Sequence, residues 1–71
     1  MTNDQAISIL KNHKAKTTNI ELISLIDETI HWLNDVDNNG NTIEQSLDYA
    51  TEACKNSLNE AREEIASLLT L

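Results

Sequence analysis

The chain has 71 residues, a net charge of −7, one cysteine, one glycine and no proline. So short a chain makes a single helical domain, 1–71, with little interior, and a lone cysteine excludes an internal disulfide. No apolar stretch approaches the ~20 residues that a bilayer span needs, and no basic segment leads into an apolar run as in a secretory leader. A cytoplasmic protein is expected, with no membrane partner.

The charge is unevenly placed. Residues 1–19 hold Lys11, Lys14 and Lys16 against Asp4, whereas residues 20–71 hold eleven acids against Lys55 and Arg62. Such a body repels nucleic acid and favours basic protein surfaces.

The expected fold is all-α: a short helix 1, a central amphipathic helix 2 and a long helix 3. Thr2 precedes Gln5, Thr18 precedes Glu21, and Thr42 precedes Gln45. Each pair has the spacing of a capping box, in which a hydroxyl takes an amide of the first turn and the Glu or Gln reaches back. The helices are placed at 3–14, 19–37 and 43–69. Helix 1 presents a modest apolar face of Ala6, Ile7, Ile9 and Leu10, with His13 at its edge.

Helix 2 carries two neighbouring apolar stripes at helical spacing. One is Leu22, Leu25, Trp32 and Val36; the other is Ile23, Ile26, Ile30 and Leu33. A helix apolar over half its girth touches two neighbours, so helix 2 is expected at the centre of the fold. Glu21, Ser24, Asp27, Glu28, His31, Asn34 and Asp35 should face water. Asp27, His31 and Asp35 share one helical face at zinc-ligand spacing, but that face is a wet one with no fourth ligand.

The segment Asp35-Val36-Asp37-Asn38-Asn39-Gly40-Asn41 follows. Asp35, Asp37, Asn39 and Gly40 resemble the first half of an EF-hand calcium loop, with Asp35, Asp37 and Asn39 as candidate metal ligands. The resemblance covers six or seven residues and then fails. Ser46 stands where the bidentate acid belongs, and Glu44 falls two residues short of it. As a turn the segment is complete: Asp and Asn bond nearby amides, Gly40 takes the left-handed helix end, and Thr42 caps helix 3. Such a turn makes helices 2 and 3 an antiparallel hairpin. No metal or other cofactor is expected.

Helix 3 has a narrow stripe of Ile43, Leu47, Ala50, Cys54, Leu58, Ala61, Ile65 and Leu68, in phase from end to end, so it is expected unbroken. At ~1.5 Å per residue it would be about 40 Å long against about 28 Å for helix 2. Ala61, Ile65, Leu68 and Leu69 would then overhang, and covering them is worth several kcal/mol at ~25 cal/mol per Å². A second copy of the chain or a partner protein is the favoured cover, with Tyr49, Ala61, Ile65, Leu68 and Leu69 as self-association or partner residues; the alternatives are that the last turns fray or that helix 1 swings round at Ala15–Thr17 to cover them.

No spacing pairs a nucleophile with a base, so no enzyme is expected. The leading functional expectation is an acidic helical module that binds a basic face of another protein through Asp27, Glu28, Asp35, Glu52, Glu60, Glu63 and Glu64. An inhibitor or adaptor of the phage or mobile-element type is the analogy, resting on charge and size alone. The alternatives are a homodimeric assembly module and a weak calcium binder.

Overall fold

The computed structural model describes residues 1–34, 42–54 and 59–70. Among these residues four helices pack together: α1 (Asn3–Lys14), α2 (Ile20–Asn34), α3 (Ile43–Ala53) and α4 (Asn59–Leu68). No helix among them is long and apolar enough to cross a membrane.

Two of the three expected capping boxes are present. Thr2 Oγ1 accepts from the Gln5 amide at 3.1 Å while Gln5 Oε1 takes the Thr2 amide at 2.8 Å. Thr42 and Gln45 make the same exchange at 3.0 and 2.9 Å. The box at Thr18 and Glu21 does not form. Asn19 caps α2 instead: its Oδ1 accepts from the amides of Glu21 at 3.0 Å and Leu22 at 3.3 Å, and its carbonyl accepts from Ile23 at 2.9 Å. Asparagine is at least as good an N-cap as threonine, and its reach to two amides wins the position. Asn19→Ala should therefore lower the unfolding free energy by about 1 kcal/mol, and Thr18→Ala should barely change it, as read from urea melts of the two variants.

α2 is the centre of the fold, touching all three other helices. Leu22, Leu25, Ile26, Thr29 and Leu33 are buried along it, and Ile30 and Trp32 are half-buried against the same core. Periodicity missed Thr29, a polar residue at a core position. Its hydroxyl donates to the Leu25 carbonyl at 2.7 Å, so burial leaves that donor satisfied. Ala6, Ile7 and Leu10 of α1, and Leu47 and Ala50 of α3, complete this part of the core.

The long third helix is the expectation that the structure corrects. α3 ends at Ala53 with Cys54 as its C-cap, and α4 is a separate helix. Arg62 Nη2 donates to Asp48 Oδ1 across that division. Fourteen residues of continuous helix would hold these side chains ~21 Å apart at their backbones. The molecule's longest dimension is 31 Å, too short for the expected rod. α4 instead runs back beside α3 and also packs on α2 and α1.

This reversal removes the overhang. Ala61, Ile65 and Leu69 are buried in the chain's own core, at 8%, 0% and 2% exposure, and Leu68 is half-buried. The cover comes from α1, as one of the alternatives had it, together with α2, rather than from a second copy. Folding back wins because it buries three side chains that a rod would leave wet.

Candidate functional site

Trp32 and Tyr49 are the chain's only Trp and Tyr, and it has no Phe. The hairpin brings these two together. Their ring centroids lie 5.1 Å apart with planes tilted by 40°. Tyr49 is 40% exposed and Trp32 is half-buried. The edge of His31 meets Trp32 at 5.9 Å. Tyr49, expected as a self-association or partner residue, packs on α2 and still shows much of its surface. The pairing was readable in one respect, since Trp32 and Tyr49 stand at equal chain distances from Gly40 and Asn41.

Two carboxylates flank this seam. Glu52 follows Tyr49 by three residues on α3, and Glu28 precedes Trp32 by four on α2. Residues three and four apart share a helix face. Trp32, near the end of α2, meets Tyr49, in the second turn of α3. Glu28 and Glu52 each lie about one turn from these rings along their own helices. Burial pushes the Cys54 thiol above its ordinary value, and the Glu28 carboxylate adds to the shift. A thiol held protonated is a poor nucleophile, in keeping with a packing role for Cys54.

The expected acidic face is partly consumed by the chain's own bases. Lys14 Nζ meets Asp27 Oδ1 at 2.6 Å, and His13 Nε2 meets Glu64 Oε2 at 2.9 Å. These contacts tie the end of α1 to α2 and α4. Being largely exposed, each is worth at most about 1 kcal/mol. Glu52, Glu60 and Glu63 are exposed and make no ion pair with another described residue, and half-buried Glu28 also has none. The structure therefore separates the named acids into two that brace the fold and four that are unengaged among the described residues.

Asp35, Asp37 and Asn39 lie outside the described residues, so the calcium-loop expectation and the Asp27, His31 and Asp35 grouping are not placed. No cluster of potential metal ligands occurs among the residues described. Ala61, Ile65 and Leu69 do not share a surface with Tyr49, because they point into the core.

Fold and surface together define a small all-helical protein, acidic overall, with an aromatic seam between α2 and α3. Comparisons with protein-family models, curated proteins and solved structures found no match.

Proposed function

We propose that the protein is an acidic helical binding module that acts by surface contact, without chemistry of its own, on a basic face of another protein. One observation carries this reading. The bases at the end of α1 and on α4 are engaged internally by Lys14–Asp27, His13–Glu64 and Arg62–Asp48, which leaves Glu28, Glu52, Glu60 and Glu63 as the acids of the expected face without an ion pair among the described residues. With the overall charge at −7, the field around the molecule attracts cationic surfaces and speeds encounter with them. An inhibitor or adaptor offering carboxylates to a basic site is the form this function takes.

The test is affinity capture from cell lysate with the wild-type chain and with Glu52→Lys/Glu60→Lys/Glu63→Lys. A partner retained by the wild type should be lost by the triple variant and should elute as salt is raised, because exposed charges beyond ~10 Å are screened at 0.1 M salt. Retention indifferent to both salt and charge reversal would refute the reading.

A further inference from the structure

We propose that the seam between Trp32 and Tyr49 is the anchor point of this surface, and that it takes an arginine side chain presented by a basic segment of the partner protein. The inference rests on the function proposed above and names the residues and side-chain chemistry at its centre.

Three observations bear on it. Tyr49 is one of the few large apolar side chains left exposed, and its ring lies against Trp32, so the seam offers aromatic surface to solvent. Cations are attracted to the faces of such rings. Glu52 and Glu28 stand one helical turn along on the two helices, without ion pairs among the described residues. On the neighbouring face of α3, Asp48 already accepts from Arg62, so a carboxylate of this helix holds a guanidinium from within the chain.

Arginine fits this arrangement better than lysine. Its planar guanidinium stacks on an aromatic face while its N–H groups donate sideways to carboxylates, whereas an ammonium is a compact and strongly hydrated point charge. Charge complementarity argues against a second copy of this chain as occupant, since it would bring another net −7 to a seam already flanked by Glu28 and Glu52. Nucleic acid is disfavoured on the same ground.

Trp32 is the chain's single tryptophan, so its emission reports directly on the seam. The experiment titrates the full chain at low salt with a capped penta-arginine peptide, and with penta-lysine for comparison. A saturable change in Trp32 emission is expected, tighter with arginine than with lysine. Tyr49→Ala and Glu52→Gln should each weaken binding about two- to fivefold, the size of an exposed cation–π or charged contact. Tyr49→Phe, which keeps the ring, should bind as wild type. Glu21→Gln removes the same charge at the start of α2 and should leave affinity unchanged. Because Glu52 is exposed, its variant keeps the test valid even if Tyr49→Ala perturbs the fold.

Equal losses from Glu52→Gln and Glu21→Gln would place binding diffusely on the acidic surface and overturn the seam, while leaving the broader binding function standing. Absence of any peptide binding would also overturn it, and the lysate capture would decide the broader reading separately. Self-association in sedimentation that is abolished by Tyr49→Ala would assign the seam to a second copy and overturn the proposal as well.

Discussion

Ile65→Asp should abolish cooperative folding, and Leu68→Asp should leave a folded protein with a modestly lower Tm. Ile65 has no exposed surface and Leu68 is half-buried, although the two sit three residues apart on one apolar stripe. A carboxylate at position 65 would be buried in the apolar core, at a cost of several kcal/mol. A domain of this length holds only about 4–10 kcal/mol in total. At position 68 the side chain can turn its charge to water. The comparison separates the folded-back α4 from the expected rod. In an overhanging helix both substitutions would dissolve a dimer and leave the central helix folded. Far-UV circular dichroism with thermal melts distinguishes the outcomes: loss of helix signal in Ile65→Asp alone supports the structure, and equal, mild effects of both would contradict it.

Leu25→Ala should cost about 2–5 kcal/mol, enough to leave a large unfolded fraction at physiological temperature. Leu25 is fully buried on α2, the helix that packs most extensively against the others. Truncation there opens a cavity that several helices would have to move together to close, so relaxation recovers little. Ile20, on the same helix but 78% exposed, is the control; Ile20→Ala should fall within about 0.5 kcal/mol of wild type. Urea melts of the two variants measure the difference. Similar values for both would mean that α2 is not the shared core element.

Much of this fold was legible in the sequence because its signals are local. Thr2–Gln5 and Thr42–Gln45 mark the starts of α1 and α3, since a capping box is satisfied by residues within one turn. The double stripe on α2 identified the central helix, because a helix apolar over half its girth needs neighbours on both sides. Asn19 displaced Thr18 through a competition between adjacent caps that spacing alone does not decide. Buried Thr29 and Ser46 were passed over because a polar type at a core position breaks the apolar pattern.

The candidate site was half legible. The sequence named Tyr49, Glu28 and Glu52 as surface residues, and the hairpin register held the means of pairing Tyr49 with Trp32. It did not reveal that Asp27 and Glu64 are engaged by Lys14 and His13, residues 13 and 51 positions away along the chain. Polar contacts between helices depend on which helices become neighbours, and that is not written in either partner's local context.

Composition and periodicity by themselves determined an acidic, all-helical chain with α2 at its centre and with α1 and α3 begun by threonine caps. Only the tertiary structure decided that the apolar stripe of residues 43–69 belongs to two helices rather than one. A stripe in phase across a break reads the same as an unbroken helix, since periodicity records which side is apolar and not whether the axis continues. No glycine or proline stands between Ala53 and Asn59 to signal the division. The decision fell to burial. Turning back puts Ala61, Ile65 and Leu69 inside the molecule, and that gain exists only once α1 and α2 are in place to receive them.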